Sequence, residues 1–465
     1  MAKQLSEDER FYRMTEAPLG KVISSLAIPC IISNLITTIY NMADTFFIGK
    51  LSTSASGAVG IALSAMSLIQ AMGFFFGQGA GNNVSRLLGA HKTEEASKLT
   101  ATAFFTCILV STVFAGCGIF WIEPICRALG ATETILPYAV SYLRIIFIGA
   151  PFMANGYFLN QQLRYQGLSF YGMIGMGFGG ILNMVLDPVF IFAFDMGIAG
   201  AALATILSQI ISFSILLVCL QTKGEVRIRL RDVSPSAARY KAIYRGGLPS
   251  LARQAIGSFA AAALNNAAGV YGDAAVAAMA IVTKIGNFTN ACVLGYGQGF
   301  QPVCGFCYGA KKYRRVKDAF LYCLRLGTLI LVILCAAEAV FAPTLIEVFR
   351  KGDPEVTRFG SIALRYHCIT FWLTGFSIMN TMLFQVIGKT YKSTVLGLAR
   401  QGLCLIPVLA VMPALIGEAG VQAAQCAADL IATVIGIIML KSFWKELSLL
   451  EGASGTESGK EMISE

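Results

Sequence analysis

The sequence predicts an all-α polytopic membrane protein, with twelve transmembrane helices in two six-helix lobes related by a pseudo-two-fold axis along the membrane normal. The first observation is composition: 56% of the 465 residues are hydrophobic and 13% are charged, whereas roughly 25% of a soluble domain is charged. The second is that the first half of the chain recurs in the second half. Lipid is therefore the solvent for most of this chain, which holds two copies of one unit.

The repeat extends over most of the chain. Pro29 recurs as Pro249, and the triplet Gly-Gln-Gly at 77–79 recurs at 297–299, in both cases 220 positions later. A recurrence at one fixed spacing over most of the length indicates a tandem duplication. Each lobe should therefore contain the same helices in the same order.

Windows of about 20 apolar residues, the length that crosses a hydrocarbon core of roughly 30 Å, locate the individual spans. The twelve predicted spans cover residues 22–48, 56–82, 99–121, 138–160, 171–194, 197–221, 247–269, 273–302, 319–342, 360–386, 393–415 and 419–441. Each repeat holds six spans, and an even number returns the chain to its starting side. Both lobes therefore enter the membrane in the same orientation, which places the axis along the membrane normal.

The spans divide the chain into five segments. These are a cytoplasmic N-terminal segment (1–21), an N-lobe with spans 1 to 6 (22–221), a cytoplasmic inter-lobe linker (222–246), a C-lobe with spans 7 to 12 (247–441) and a cytoplasmic tail (442–465). The linker is predicted from its polar residues around Ser234-Pro235-Ser236. The tail after Glu451 is rich in Gly, Ser and Glu, so we expect it to be disordered.

Basic residues predict the orientation. The loops after even-numbered spans carry most of the loop Lys and Arg, as is typical of cytoplasmic loops. Both termini are therefore expected in the cytoplasm, with the chain in the cell inner (cytoplasmic) membrane. The N-terminus has no short apolar region before a cleavage site, so it is not expected to be a signal peptide. The net charge of +10 is largely this loop bias, which favours contact with anionic lipid over nucleic-acid binding.

The chain offers no pattern for enzymatic chemistry. Its two histidines and its acidic residues form no Ser-His-acid grouping at one depth. Thirteen cysteines are scattered mostly within spans as small apolar residues, and Cys304-Gly-Phe-Cys307 is a C-x-x-C pair without a second pair. The glycine run at 77–81 follows no strand, which favours close helix packing over phosphate binding. We expect no enzyme activity, no cofactor and no nucleotide.

The N-lobe holds a cluster of polar residues at one predicted depth. Asp44 in span 1 and Asp187 in span 5 both lie in the outer half of the membrane, given a helical rise of about 1.5 Å per residue. Asn183 stands one turn before Asp187 on the same helix face, and Thr205 in span 6 and Tyr142 in span 4 lie in the same outer region. Carboxylates, an amide and a hydroxyl form an oxygen set that suits a hard cation. Asp44, Asn183, Asp187 and Thr205 are thus a candidate Na⁺ site, and the carboxylates could equally take up a proton.

Each aspartate could instead be a hydrogen-bonded residue that joins two helices. Comparison of the repeats favours a function, because Leu264 stands opposite Asp44, and Pro407 stands near the position equivalent to Asp187. The carboxylate pair therefore exists in one lobe only. An ionisable residue at membrane depth needs a partner or a function.

The C-lobe carries a different pair. Lys284 in span 8 and Asp429 in span 12 both lie in mid-span at similar predicted depths. We expect them to form an ion pair with a structural or gating role. A direct part in substrate or proton handling is the alternative.

The substrate path is expected between the lobes, near the midplane of the bilayer. Flexible Met side chains, which repack around varied ligands, would suit such a path. The candidates for its lining are Met66, Gln70, Met153, Asn160, Met279, Asn287, Met379 and Asn380. Ordinary helix packing is the alternative for each of them.

Taken together, these features resemble the multidrug and toxic compound extrusion (MATE) family. The similar features are the Pro29 to Asp44 spacing, Asn183-Xaa-Xaa-Xaa-Asp187, Leu248-Pro249-Ser250, and Gly297-Gln-Gly-Phe-Gln-Pro302 followed by Tyr308-Gly-Ala-Lys311. The resemblance covers residues 16–445. It implies a twelve-helix antiporter that exports amphipathic organic cations by rocking between outward-open and inward-open forms. It also implies ion coupling in the first lobe, at Asp44, Asn183, Asp187 and Thr205, together with Tyr142.

The chain departs from one branch of that family, which carries a carboxylate on the seventh span shortly after its proline. Here that stretch is Ser250-Leu-Ala-Arg-Gln254. The chain therefore resembles the branch that is coupled through the N-terminal lobe.

The function expected from the sequence is secondary active export of lipophilic, mostly cationic drugs or toxins in exchange for H⁺ or Na⁺, by a monomer. The alternative is a flippase for lipid-linked precursors, a class with related two-lobe architecture. That class would prefer a strongly cationic central cavity for an anionic headgroup, and Lys284, Arg253 and Arg400 keep this alternative open.

Overall fold

The computed structural model describes residues 6–49, 51–350 and 353–461, most of which are helical and none of which form a strand. The helices are α1 (Glu7–Thr15), α2 (Leu19–Gly49), α3 (Thr53–Gly89), α4 (Thr93–Phe120), α5 (Ile122–Ala128), α6 (Leu136–Tyr165), α7 (Ser169–Pro188), α8 (Gly197–Lys223), α9 (Ala237–Gly269), α10 (Asp273–Gly309), α11 (Tyr313–Val340), α12 (Ala342–Phe349), α13 (Pro354–Val386), α14 (Thr390–Leu398), α15 (Leu405–Ile416) and α16 (Glu418–Glu461). One π-helical turn, Val189–Ala193, extends α7, and another, Ala399–Cys404, joins α14 to α15.

These helices confirm the predicted twelve-span, two-lobe architecture. Spans 1 to 12 correspond to α2, α3, α4, α6, α7, α8, α9, α10, α11, α13, α14–α15 and α16. Within the described residues, eleven of these are long and apolar enough to cross a membrane. The twelfth, α9, has the required length at 33 residues, but its basic first turns and Arg253 lower its hydropathy. Three of these basic residues line cavities: Lys241 and Arg245 line one near the start of the helix, and Arg253 lines another.

The duplication is visible in backbone details. The short helices α5 and α12 follow α4 and α11 and begin at positions 122 and 342, again 220 residues apart. Gly167 and Gly388, just beyond α6 and α13, adopt φ angles of 77° and 85°. This left-handed region favours glycine after a helix. The two lobes therefore share both the order of their helices and the way in which helices end.

Two boundaries differ from the predictions. Helix α9 begins at 237, ten residues earlier than predicted, so the non-helical part of the linker is confined to 224–236 apart from the 3₁₀ turn Leu230–Asp232. Helix α16 runs to Glu461, whereas the sequence predicts a span that ends at 441 and a disordered tail. The helix continues past the span because Phe443 and Leu447 keep an apolar stripe that is buried. Residues 462–465 lie outside the described residues.

The two lobes touch through glycines on equivalent helices. A Cβ atom at Gly79 of α3 would lie 2.4 Å from the Ile243 carbonyl oxygen of α9, and a Cβ at Gly299 of α10 would lie 2.6 Å from the Ala27 Cα of α2. The two contacts are related by the 220-residue repeat. They are consistent with the glycine runs serving close helix packing, because only a residue without a side chain lets the backbones approach this far.

A hydrogen-bonded network closes the same end of the inter-lobe interface. Gln385 Nε2 of α13 donates to Gln78 Oε1 of α3 at 2.9 Å and to the Gly246 carbonyl of α9 at 3.1 Å. The Ser250 hydroxyl also donates to Gln78. This end carries the loops that follow even-numbered spans. We call it the closed end.

Helix α1 lies across the closed end and contacts both lobes. Arg10 Nη1 lies 3.3 Å from Glu225 Oε2 of the linker. Just past α1, Glu16 forms an ion pair with Lys312, which precedes α11. A capping box formed by Ser6 and Glu9 starts the helix by satisfying backbone N–H groups that a helix leaves free. Residues 6–16 thus connect the two lobes at this end.

Candidate functional site

The N-lobe cluster is built on α7 and α8. Asn183 and Asp187 occupy one face of α7, one turn apart, and the Asn183 Nδ2 donates to Asp187 Oδ1 at 3.1 Å and to Thr205 Oγ1 of α8 at 3.3 Å. Asp187 is fully buried, and the other two are nearly so. One amide therefore positions both a carboxylate and a hydroxyl.

Asp44 of α2 completes the cluster from the side that faces the C-lobe. Its carboxylate is close enough to that of Asp187 for the two to interact electrostatically. The buried Tyr142 hydroxyl of α6 donates to Met66 Sδ at 4.0 Å. It is close enough to Thr205 and to both carboxylates to interact with them electrostatically. The structure thus brings together all five residues predicted from the sequence.

Three oxygens of this cluster have no hydrogen-bond partner within the described part of the chain, although they are buried. They are Asp44 Oδ1, Asn183 Oδ1 and Asp187 Oδ2. No basic side chain forms an ion pair with either aspartate among the described residues. Buried oxygens without a donor are rare and call for an explanation. Three of them in an all-oxygen cluster offer ligands for a hard cation or an acceptor for a proton.

Sequence reasoning missed a second layer of the cluster. Tyr40 lies one turn before Asp44 on α2, is buried, and has the side chains of Tyr157 and Gln209 as hydrogen-bonding neighbours. These residues connect α2, α6 and α8 behind the carboxylates. The i, i+4 spacing of Tyr40 and Asp44 was a usable signal, but Tyr157 and Gln209 had no such relation to a predicted site residue.

The predicted ion pair of the C-lobe is wrong. Asp429 of α16 pairs with Arg400, whose Nε lies 2.6 Å from Asp429 Oδ1 and whose guanidinium lies over the Phe371 ring at 5.2 Å. Lys284 forms no ion pair within the described residues. The physical reason is the π-helical turn at Ala399–Cys404, because a π-turn inserts an extra residue and changes which face of the helix a side chain occupies.

A central cavity of about 950 Å³ lies between the lobes. Its walls come from α2 and α3 of the N-lobe and α9 and α10 of the C-lobe, with Phe349 at the end of α12. It extends along α2 from Asn34 to Phe46, which is about 18 Å of helix. Gln78, which belongs to the network at the closed end, also lines the cavity. The closed end therefore forms one boundary of the cavity.

Only two of the eight predicted lining residues face this cavity, Gln70 and Asn287. The other six pack within the lobes: Met66, Met153, Met279, Met379 and Asn380 are buried, and the Asn160 Nδ2 donates to the Gly172 carbonyl at 3.2 Å. Met fills irregular core gaps as readily as it lines a binding surface. Hydropathy alone could not distinguish the two, because a span of this kind is apolar on several faces.

Two parallel repeats with a cavity between them are typical of a multi-spanning membrane transporter. The chain belongs to the MatE family, because the family model, described as MatE, matches residues 29–189 and again residues 249–411, more than half of the chain. The two matches begin 220 residues apart. They coincide with the repeat read from the sequence and confirm the resemblance to the MATE family.

Similar proteins agree with this assignment. The Multidrug export protein MepA of Staphylococcus aureus is 27% identical over 417 residues, which are 89% of this chain and 92% of that protein. A solved structure described as the outward-facing conformation of a multidrug resistance MATE family transporter is 27% identical, covers 97% of this chain and 100% of its own, and superimposes with a TM-score of 0.89. A transporter from Pyrococcus furiosus, described as having a binding pocket of reverse polarity that suggests a different function, is 26% identical over 97% of this chain and 99% of its own, with a TM-score of 0.88.

Proposed function

We propose that this protein is a secondary active antiporter that exports amphipathic small molecules in exchange for H⁺ or Na⁺ bound in the N-lobe cluster. The observation that carries the proposal is the position of α2 between two sites. Asp44 and Tyr40 are buried on the side of α2 that faces the cluster, whereas Asn41 and Thr45 line the central cavity. A change at one site therefore has a direct mechanical route to the other.

The chemistry of the cluster suits cation exchange. Asp44 and Asp187 lie close together without a basic partner, so a cation between them relieves repulsion and supplies the unpartnered oxygens with a ligand. Bound cation then favours the arrangement in which α2 packs closely on α7. A ligand shifts a conformational equilibrium only as far as it binds the two states differently. Cation and cargo must therefore favour opposite states of the transporter.

The orientation expected from the basic loops places the closed end at the cytoplasm. In that orientation the central cavity opens away from the cytoplasm, which is the state that releases cargo in an exporter. The return to a cytoplasm-facing state requires the glycine contacts and the Gln78 network to separate. The names of the relatives support export of small molecules, and the resemblance to the family implies lipophilic organic cations as the usual cargo.

Efflux from proteoliposomes with separately imposed Na⁺ and pH gradients tests the coupling. With a fluorescent amphipathic substrate, one of the two gradients should drive transport in the native chain. Asp187→Asn should reduce gradient-driven transport by at least about tenfold, a factor that corresponds to ~1.4 kcal/mol, because it removes the charge that binds the cation. Asp318→Asn, an exposed position on α11, is the matched control and should transport normally. Normal coupled transport by Asp187→Asn would contradict the assignment of the site.

Transbilayer movement of lipid-linked precursors is the second candidate function, and the basic residues Arg253 and Lys284 in the cavity favour it. This function would need an anionic lipid headgroup as cargo. The same proteoliposomes distinguish this function from antiport, because movement of a labelled lipid between the leaflets is measured independently of efflux from the lumen.

A further inference from the structure

The central cavity contains positive charge without compensating negative charge. Its described lining includes two basic residues, Arg253 of α9 and Lys284 of α10, and no aspartate or glutamate. Neither residue forms an ion pair with any carboxylate in the described part of the chain. Basic side chains at membrane depth are costly and are normally found with a partner. An anionic group that enters the cavity would supply such a partner.

Charges that surround the cavity do not cancel this excess. Two acids lie beside α10 without lining the cavity. Glu338 of α11 accepts a hydrogen bond from Thr289, and Asp429 is already paired with Arg400 in an adjoining cavity that shares Asn287. Asp44 is buried towards the N-lobe cluster. Arg164 of α6, which is 2% exposed and has Nε and Nη1 without hydrogen-bond partners, interacts electrostatically with Arg253. It adds to the positive potential on that side.

The other side chains that line the cavity fall into two groups. Amide side chains from both lobes supply N–H donors, and they are Asn41, Gln70, Gln254, Asn287, Asn290 and Gln298. Apolar side chains are the other group, and they are Met42, Phe46, Leu63, Phe74, Leu294 and Phe349. Amide donors and basic groups suit oxygens of an anion. The apolar group suits a hydrocarbon or aromatic body, and the volume matches cavities that hold drug-sized ligands.

We propose that the cargo is an amphipathic organic anion: an apolar body with one carboxylate, sulfonate or phosphate group, which is held by Arg253 and Lys284. This inference rests on the proposed transport function and names its substrate class. It also departs from the cargo that the family resemblance implies, because a cationic head group would meet two positive charges and no negative one. An anionic head group would form charge-assisted hydrogen bonds with both.

Equilibrium binding to the purified full chain in detergent tests the proposal without requiring transport. The probes share one dansyl fluorophore and one medium-length alkyl chain and differ only in the head group: carboxylate, carboxamide or trimethylammonium. The native chain should bind the carboxylate at least about tenfold more tightly than the carboxamide, as expected for charge-assisted hydrogen bonds. It should bind the trimethylammonium probe most weakly. Tighter binding of the trimethylammonium probe than of the carboxylate would overturn the proposal.

Variants connect that preference to the named residues. Lys284→Gln should weaken binding of the carboxylate probe by about ten- to a hundredfold and leave the carboxamide probe within about twofold, whereas Lys284→Arg should retain most of the affinity. Arg253→Gln provides a second variant should Lys284→Gln not fold. Lys98 pairs with Glu94 outside the cavity. Lys98→Gln is therefore the matched control and should bind all probes as the native chain does. Unchanged carboxylate binding in both cavity variants would overturn the assignment.

Measuring transport of the same probes distinguishes failure of this inference from failure of the proposed function. Selective carboxylate binding without gradient-driven efflux would leave the inference in place and contradict the antiporter. Gradient-driven efflux of the trimethylammonium probe without carboxylate binding would support the antiporter and overturn the inference of an anionic cargo. Direct binding of a fluorescent polyprenyl phosphate in the same detergent distinguishes the two sources of an anionic head group. Binding of the prenyl phosphate, together with no binding of the short carboxylate probe, would overturn the small-molecule anion and support the flippase.

Discussion

The buried aspartates among the described residues fall into two groups that differ in their partners. Asp429 is compensated by Arg400 at 2.6 Å, whereas Asp44 and Asp187 have only each other and neutral side chains nearby within the described residues. A compensated acid joins helices, and an uncompensated pair can bind and release a cation. The presence or absence of a basic partner therefore distinguishes the two groups, whereas burial does not, because all three aspartates are buried.

A double-mutant cycle tests the Arg400–Asp429 pair at the residue level. Arg400→Gln and Asp429→Asn should each lower the free energy of unfolding by about 2 to 5 kcal/mol, because each leaves the other charge of a largely buried pair without its partner. The double variant should lose clearly less than the sum of the two. Thermal melting in detergent measures the effect, with Lys284→Gln combined with Asp429→Asn as the control. The structure would be contradicted if the losses of stability were additive for Arg400→Gln with Asp429→Asn but coupled for Lys284→Gln with Asp429→Asn.

Glu225 provides a pH-dependent prediction outside the membrane. Burial raises the pKa of Glu225 above its usual value, an effect that Arg10 and His91 oppose and Glu7 reinforces. The folded chain therefore binds this proton more tightly than the unfolded chain, so the contribution of Glu225 to stability is lost as pH rises through the raised pKa. Glu225→Gln, which cannot ionise, should gain in melting temperature relative to the native chain between about pH 5 and about pH 8.

Glu94 is the matched control for that measurement. A hydrogen bond from Lys98 lowers the pKa of Glu94, so its contribution to stability is present at neutral pH and is lost as pH falls through the lowered pKa. The side chain is 82% exposed, and solvent screening should keep the effect small. Relative to the native chain, Glu94→Gln should therefore show no gain as pH rises. The same pH trend in both variants would argue against the role given to burial at Glu225.

Among the elements, α2 and α3 have the clearest functional positions. Helix α2 separates the N-lobe cluster from the central cavity, and α3 carries both the Gly79 contact and Gln78 of the closed end. These helices meet α10 and α9 respectively, so the two inter-lobe contacts are equivalent under the repeat. A change in how either pair packs should therefore alter the balance between open and closed forms of this end.

Gly79→Ala tests that statement for α3. The added Cβ would lie 2.4 Å from the Ile243 carbonyl, so α3 and α9 must separate, at about 1 to 3 kcal/mol. We expect a lower melting temperature and faster labelling of a cysteine placed at Ser250, which is fully buried at the closed end. Gly60→Ala on the same helix meets no atom within 4 Å and should be neutral or slightly stabilising. Equal labelling of the two variants would show that the contact does not hold the end closed.

At the level of the whole molecule, the closed end is held by three layers. The glycine contacts lie deepest, the Gln78 network lies beside them, and α1 crosses the surface from Glu225 to Lys312. All three connect the N-lobe to the C-lobe or to segments that follow it. Alternating access by relative movement of the lobes would have to release all of them.

Cross-linking the lobes tests this requirement. Asn83 of α3 donates to the Ala242 carbonyl of α9 at 3.3 Å, so cysteines at these two positions should be joined by a short thiol-reactive cross-linker once the exposed Cys117 is replaced by serine. The cross-linked protein should lose nearly all transport while retaining its melting temperature. The control is Gln221→Cys with Ile228→Cys, where the amide donates to a carbonyl within the N-lobe and its linker. Full transport by the inter-lobe cross-linked protein would argue against movement at this end.

Much of the candidate site was predictable because its signals are local. Asn183 and Asp187 are one helical turn apart, and polar residues are scarce in apolar spans, so their depth along each helix could be counted from the sequence. Lys284 shows where this reasoning ends. Its depth matched that of Asp429, but the pairing depended on a π-helical turn that moves Arg400 and that no hydropathy pattern reveals.

The number of spans, the duplication, the family and the five residues of the N-lobe cluster could be predicted from the sequence. Each of these depends on hydropathy, residue spacing or repetition along the chain. Four other features became visible in the folded protein: the partner of Asp429, the second layer around Tyr40, the course of α16 beyond the span and the residues that line the central cavity. The physical reason is that an apolar helix can rotate about its axis without any change in its hydropathy pattern, so packing between helices decides which face each residue occupies.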